Sequence, residues 1–346
     1  MLADLAVAIL LVGLTAYAVL GGADFGAGFW DLTAGSPERG ARVRGLVKRS
    51  MGPVWEANHV WLIFVLVVLW TCFPSAFGPI MESLYVPLFL AAVGIILRGA
   101  AFALRGEAAT ISEARALGGT FALSSVLVPF FLGAAVGAVA SGQVSVEDTG
   151  GALSTWTNAT SIFAGMLAVA SGAYVAAIFL AADAHAAGFA DLVERFRARA
   201  LGSAVVAGAL AIAGLAVIES DAPDLYDGLT SGLGLLMVIA SAIAGAVTLA
   251  LVWTRRFAPA RISAAAAVGS ILVGMGLAIR PDFLPGELSV QEAAAGDATL
   301  LATLISVAIG LCLILPALAY LFRLTLAGTL HEELKPIGAP DREDGT

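Results

Sequence analysis

The chain has 346 residues, of which 60% are hydrophobic and only 13% charged, about half the charged fraction of a typical soluble protein. Its length therefore suits a bundle of membrane helices, each needing about 20 apolar residues, better than a set of soluble domains. The net charge of −8 and the lack of a basic patch exclude nucleic acid as a partner. Cys72 and Cys312 lie in apolar runs, and we interpret both as buried small hydrophobes rather than a disulfide or metal pair.

Hydropathy predicts an all-α integral membrane protein with about nine transmembrane helices. The predicted spans cover residues 2–23, 54–77, 79–104, 116–141, 159–182, 202–219, 229–253, 262–280 and 299–323. A tight turn from Pro74 to Pro79 is predicted between the second and third spans. We predict one polytopic domain over 1–346, made of a leading helix (2–23), two four-helix bundles (54–182 and 202–323) and a cytoplasmic tail (324–346).

The distribution of basic residues predicts the orientation of the chain. Of the 18 Lys and Arg residues, all except Arg98 and Arg280 follow spans one, three, five and seven or lie at the end of span nine and in the C-terminal tail. Cytoplasmic loops of membrane proteins carry an excess of Lys and Arg. We therefore expect the N-terminus outside and the C-terminus in the cytoplasm. The first 20 residues lack a basic segment, so no cleavable signal peptide is predicted.

Span one ends in a glycine-rich segment, from Gly21 to Gly28, that carries Asp24. Glycines in membrane helices let neighbouring backbones approach closely. Span five ends with a related acid, Asp183, before another basic loop, and we interpret Asp183 as solvated at the cytoplasmic rim. This short similarity between the ends of spans one and five is consistent with one leading helix followed by two bundles.

A second polar group opens span two, where Glu56, Asn58 and His59 precede an apolar run without charge. Glu56 and His59 are three residues apart and so share a helix face. Arg98 lies about 9 Å from the cytoplasmic end of span three. Ionisable groups inside a membrane are costly and mark functional sites, and a histidine can pass protons near neutral pH. We predict a proton path of Asp24, Glu56, Asn58, His59 and Arg98.

Each of these residues also has a plainer interpretation. Asp24 can be a helix-end acid that faces water, and Arg98 can extend to the lipid headgroups. His59 can be a packing histidine rather than a metal or haem ligand. The joint occurrence of the patterns around Asp24 and Glu56 favours the functional interpretation.

Together, the segments from Gly21 to Gly28 and from Pro53 to Ile63 resemble subunit II of the cytochrome bd-type quinol oxidases, including the cyanide-insensitive branch. The nine predicted spans, the outside N-terminus and the length agree with that family over nearly the whole chain. The first hundred residues carry the specific part of the resemblance. The stretch from Gly172 to Arg199 agrees more loosely.

The resemblance implies a subunit that ligates no haem or other metal and forms a heterodimer with a haem-bearing subunit I, whose haems are b and d or all b. Such a complex oxidises a membrane quinol and reduces oxygen to water in the prokaryotic cytoplasmic membrane. The family's proton-path acids correspond to Asp24 and Glu56, the latter an aspartate in some members, and its third-helix arginine to Arg98. Lipids, a structural quinone and a small accessory subunit are further candidate partners.

We hypothesise a mechanism in which Asp24 collects cytoplasmic protons and Glu56 and His59 relay them towards subunit I. In this mechanism Arg98 holds the carboxylates ionised or orients them. Two alternatives stay open at this point. A proton-coupled transporter would use similar carboxylates, but near the midplane and beside broken helices. A structural scaffold would use the polar cluster only to lock three helices together.

Overall fold

The structure, a computed structural model, describes residues 1–51, 55–105, 108, 110–147 and 150–326. The side chains of Pro37, Glu38, Glu56, Ala57, Ile111, Phe322, Thr325 and Leu326 lie outside this description. The helices are α1 (Leu2–Leu32), α2 (Pro37–Met51), α3 (Trp55–Cys72), α4 (Pro74–Ser83), α5 (Tyr85–Leu104), α6 (Ile111–Ala140), α7 (Ala159–Ala186), α8 (Ala190–Asp221), α9 (Pro223–Thr230), α10 (Gly232–Trp253), α11 (Phe257–Ala278), α12 (Val290–Ala293) and α13 (Asp297–Leu326). A small hairpin joins β1 (Asp282–Leu284) to β2 (Leu288–Ser289).

The predicted all-helical membrane architecture is confirmed. Eight helices in the described part of the chain are long and apolar enough to cross a membrane, namely α1, α5, α6, α7, α8, α10, α11 and α13. The apolar part of α3, Asn58–Cys72, is shorter and stands where the second span was predicted. The division into two bundles and the side of the membrane that each end faces stay predictions.

Several helices are longer than the apolar segments from which they were predicted, because polar turns at the ends of those segments continue the same helix. The first helix, α1, ends at Leu32 instead of residue 23, so Asp24 lies inside it rather than at its end. At the start of α6, Thr110 and Glu113 form a capping box, in which each side chain bonds the other's backbone N–H at 3.2 Å. Such a box begins a helix before its apolar face does.

The predicted tight turn from Pro74 to Pro79 is wrong, since this segment belongs to α4. Pro74 stands at the first turn of α4, where a missing N–H costs nothing. Ala76, Ile80 and Ser83 are buried at the i, i+4, i+7 spacing of one helix face. The chain therefore lays a short helix between α3 and α5, and the third span begins at Tyr85.

The long helix α1 contributes to both of the larger hydrophobic cores. Its C-terminal half, including Val19 and Ala27, packs with residues of α2, α7, α8 and α11. Its N-terminal half, including Ala6 and Val7, packs with residues of α3, α4, α12 and α13. A helix buried on several sides needs apolar residues all round it, and α1 has them.

Close helix packing explains the glycines of the segment from Gly21 to Gly28. A Cβ at Gly26 would meet the backbone of Gly172 in α7 and lie 2.7 Å from the Cβ of Ala176. A Cβ at Gly172 would in turn lie 3.0 Å from the carbonyl oxygen of Gly22. The two backbones touch at a point where no side chain fits.

The cysteine prediction is half right. Cys72 is buried, whereas Cys312 is exposed on α13. An apolar run predicts a membrane helix but not which face of that helix contacts protein. Leu313 and Ile314, which follow Cys312, are exposed as well.

Candidate functional site

The centre of the site is Asp24, which is only 4% exposed within α1. Its Oδ2 accepts a 2.7 Å hydrogen bond from Nδ2 of Asn58 in α3. The same Asn58 nitrogen lies 3.4 Å from the carbonyl oxygen of Leu20. A buried carboxylate is costly without such donors, so the α1–α3 contact holds the acid in place. The water-facing interpretation of Asp24 is wrong.

Arg98 of α5 is 2% exposed and is turned into the protein rather than towards headgroups. Its Nη2 donates to the main-chain carbonyl oxygen of Asp24 at 3.0 Å, and its Nε donates to Oγ of Ser125 in α6 at 3.1 Å. The guanidinium carbon lies 4.7 Å from the ring centre of Phe25 and 5.1 Å from that of Phe121. These two cation–π contacts favour a desolvated arginine.

Arg98 forms no ion pair with the Asp24 carboxylate among the described residues, where its hydrogen-bond partners are a main-chain carbonyl and a serine hydroxyl. The described donor to the carboxylate is the neutral amide of Asn58. Arg98 fixes the backbone of α1 at Asp24 and supplies a positive charge nearby. Of the two predicted roles for Arg98, this geometry fits the orienting one.

His59 lies one residue beyond Asn58 and is enclosed by aromatic rings. Its ring centre is 6.1 Å from those of Tyr17 and Trp55 and 5.8 Å from that of Phe25. Its Nδ1 lies 2.8 Å from the carbonyl oxygen of Trp55. Because a carbonyl only accepts, Nδ1 carries the hydrogen in this arrangement.

Two buried polar atoms of this aromatic enclosure lack a hydrogen-bond partner within the described part of the chain. They are Nε2 of His59 and the hydroxyl oxygen of Tyr17. Buried polar atoms usually have a partner in protein or in ordered water. Tyr17, seven residues before Asp24 on α1, is a member of the cluster that the sequence interpretation missed.

Glu56, the remaining predicted member, has its side chain outside the described residues. Its backbone belongs to α3, one turn before His59. The structure thus brings together Asp24, Asn58, His59 and Arg98, from α1, α3 and α5, as the sequence predicted.

A second buried acid, Asp31, was also missed. It is 3% exposed at the end of α1, and its two oxygens accept from Nε of Arg44 at 2.8 Å and Nη1 of Arg105 at 2.5 Å. Arg44 lies in α2 and Arg105 at the end of α5, so the basic segments that follow predicted spans one and three do meet at one end of the bundle. The spacing of seven residues from Asp24, two helical turns, was the signal in the sequence.

Asp183, interpreted as solvated, is in fact paired with Arg261 of α11, and its side chain is 30% exposed. His185, two residues further, is exposed. Within the described residues there is no group of three or more His, Cys, Asp or Glu side chains that could hold a metal ion.

Comparison with known proteins agrees with these features. The family model of cytochrome bd terminal oxidase subunit II matches residues 2–325. The bd oxidase structure from Geobacillus thermodenitrificans is similar in fold, with a TM-score of 0.75 and 24% identity over 94% of this chain and 99% of that one.

Two curated relatives come from Bacillus subtilis (strain 168). Cytochrome bd ubiquinol oxidase subunit 2 is 30% identical over 127 residues, which are 37% of this chain and 36% of that protein. A putative cytochrome bd menaquinol oxidase subunit II is 23% identical over 220 residues, 62% of this chain and 61% of that protein. The chain thus spans about a third and about three-fifths of the length of the relatives it matches. Since the family match covers nearly all of it, the chain belongs to the cytochrome bd terminal oxidase subunit II family.

Proposed function

We propose that this chain is the haem-free subunit of a membrane quinol oxidase and works beside a haem-bearing subunit I. The complex would oxidise a membrane quinol and reduce oxygen to water. Family membership and the names of both Bacillus relatives, each a quinol oxidase subunit, support this proposal.

The surroundings of His59 support the placement of the haems in the partner. Aromatic ring centres lie within 6.1 Å of the His59 ring, and its Nδ1 lies 2.8 Å from the carbonyl oxygen of Trp55, which is the setting of a packing histidine. His185 lies at the exposed end of α7 beside Phe257, at 5.7 Å.

The proposed role of the cluster is to bring protons from the basic end of the bundle towards subunit I. The observation that carries it is the buried Asp24 carboxylate, whose partner is the neutral amide of Asn58 rather than a guanidinium. A carboxylate without a tightly paired cation can take up and release a proton at modest cost, whereas an ion-paired one is held ionised.

The next step of the proposed path passes through the enclosure around His59. Phe25 follows Asp24 directly and faces the His59 ring, so the carboxylate and the imidazole lie on adjoining parts of α1 and α3. Nε2 of His59 and the hydroxyl of Tyr17, which have no hydrogen-bond partner among the residues that the structure describes, would bond to water, which carries protons between fixed groups. Glu56, one turn from His59, would extend the path.

The test is Asp24→Asn in the assembled complex, which keeps the shape of the side chain but removes its proton. We expect oxygen consumption to fall by roughly ten-fold or more, with the haem spectrum unchanged. Asp191→Asn, which removes an exposed acid paired with Arg42, is the control and should leave turnover unaltered. Full turnover in Asp24→Asn would remove the proton role, and loss of assembly would favour the scaffold alternative.

A further inference from the structure

Two arginines of α8 meet the C-terminal end of α1 at the basic end of the bundle. Arg195 and Arg199 are four residues apart and so share a helix face. Nη2 of Arg195 lies 3.3 Å from the carbonyl oxygen of Ala34, and Nη2 of Arg199 lies 3.4 Å from that of Thr33. Nη1 of Arg199 is buried and has no hydrogen-bond partner within the described residues.

The other arginines at this end of the bundle with known contacts are paired with carboxylates. The pairs are Arg42 with Asp191, Arg44 and Arg105 with Asp31, Arg197 and Arg255 with Glu194, and Arg261 with Asp183. Asp191 and Glu194 are the acids nearest in sequence to Arg195 and Arg199, and both are engaged elsewhere. Among the described residues, Arg195 and Arg199 have no carboxylate partner.

Capping of α1 explains only part of this arrangement. Cations near a helix C-terminus are favourable, and its last carbonyls need donors. Each arginine, however, gives one of its five N–H donors to a carbonyl, at a long distance. Two like charges one turn apart on a helix also repel each other. An anion placed between them would use the remaining donors and remove the repulsion.

The position along α8 fits the headgroup region of a membrane. The run from Ala200 to Ile218 contains no charged residue, so Arg199 belongs to the last polar turn before the apolar segment. Its guanidinium carbon lies 4.8 Å from the ring centre of Trp30 and 5.1 Å from that of Phe196. Tryptophan is typical of membrane interfaces, and Trp30 is held in place by a 2.8 Å bond from Nε1 to the carbonyl oxygen of Ala173.

We propose that Arg195 and Arg199 bind the phosphate of an anionic phospholipid at the junction of α1 and α8. Arginine guanidiniums bind phosphate oxygens with two parallel hydrogen bonds, and basic pockets between membrane helices bind anionic headgroups. The acyl chains would lie along α8, where Val206, two turns from Arg199, is 55% exposed. This lipid would link the first and eighth helices at the membrane surface.

Native mass spectrometry of the purified complex tests the proposal by measuring the phospholipid that each variant retains. We expect the double variant Arg195→Gln/Arg199→Gln to retain roughly ten-fold less anionic lipid than the wild type. The matched control Arg42→Gln/Arg255→Gln removes the same charge from exposed, ion-paired positions and should retain a wild-type amount. Equal retention in the first double variant would overturn the proposal.

Two further arms cover misfolding and the source of the phosphate. If the double glutamine variant does not assemble, the single variant Arg195→Gln, at an exposed position, takes its place. We expect this single variant to lose part of the bound lipid. Wild-type retention of lipid in it would overturn the proposal. In the delipidated complex, phosphatidylglycerol but not phosphatidylcholine nanodiscs should raise the unfolding temperature. If inorganic phosphate produced the same rise in the unfolding temperature, the ligand would be free phosphate rather than a lipid, and the proposal would be overturned in this form.

Discussion

The two buried acids of α1 differ in the groups that surround them. Asp24 accepts from the neutral amide of Asn58, while Asp31 lies between the guanidiniums of Arg44 and Arg105. A carboxylate bonded to two guanidiniums from different helices holds those helices together, so we assign Asp31 a structural role. It ties the end of α1 to α2 and α5 and orders the basic end of the bundle.

Asp31→Asn is therefore expected to lower stability rather than turnover. The variant leaves Arg44 and Arg105, whose side chains are 24% and 29% exposed, without their shared anion. Breaking a fully buried pair costs about 3–5 kcal/mol and an exposed pair about 0–1 kcal/mol, so about 1–3 kcal/mol is expected here. Thermal unfolding of the purified complex measures it, and a loss of turnover at an unchanged unfolding temperature would contradict this assignment.

The residues of the site were predictable to different degrees. Asp24, Asn58 and His59 stand out because polar groups are rare in apolar runs, and the structure brings them together. The direction of Arg98 was not predictable, because headgroups and a buried carbonyl both satisfy a guanidinium. Asp31 was missed because its partners come from α2 and from the end of α5, and a sequence does not state which of these segments meet.

Among the helices, the contact between α1 and α7 depends on the absence of side chains. Gly22 and Gly26 face Gly172, with main-chain atoms in direct contact. The segment from Gly21 to Gly28 was noted in the sequence as a site of close helix packing, yet only the structure identifies Gly172 as its partner. The short helix α4 was missed for a related reason. Proline is common in turns, so the two prolines of this segment predicted a turn. The helix instead depends on burying Ala76, Ile80 and Ser83 against other parts of the chain, which the sequence does not identify.

Gly26→Ala should separate these two helices. The added methyl group would overlap the Gly172 backbone, which cannot move aside as a flexible side chain can, and overpacking costs about 1–3 kcal/mol or more. We expect a marked fall in the yield of assembled complex and in its unfolding temperature. Gly245→Ala in α10 is the matched control: nothing lies within 4 Å of its added Cβ, so stability should hold or rise by up to about 1 kcal/mol. Equal yields of the two variants would show that the contact tolerates a side chain.

For the whole molecule, the central expectation is a stable partnership in the membrane. The fold matches a solved bd oxidase over nearly all of this chain, and many apolar side chains face outwards from α3, α5 and α13, including Ile63, Ile96 and Leu313. Such faces meet lipid or another membrane protein.

Affinity purification of this chain from its native membranes in mild detergent tests the partnership. We expect a haem-bearing protein in equal amount, with b- and d-type or all-b bands in the reduced-minus-oxidised spectrum. A stable chain that purifies alone and without haem would contradict the oxidase proposal and favour the transporter alternative, which transport assays would test.

The packing of α1 also sets an order for biogenesis. This helix leaves the ribosome before α7, because Gly172 follows about 150 residues after Gly26, on the order of ten seconds at the usual rates of synthesis. During that interval the glycine groove of α1 lacks its α7 partner. Final folding must therefore wait until α7 has entered the membrane, and a chain that ended between the two helices would leave the surface around Gly26 uncovered by α7.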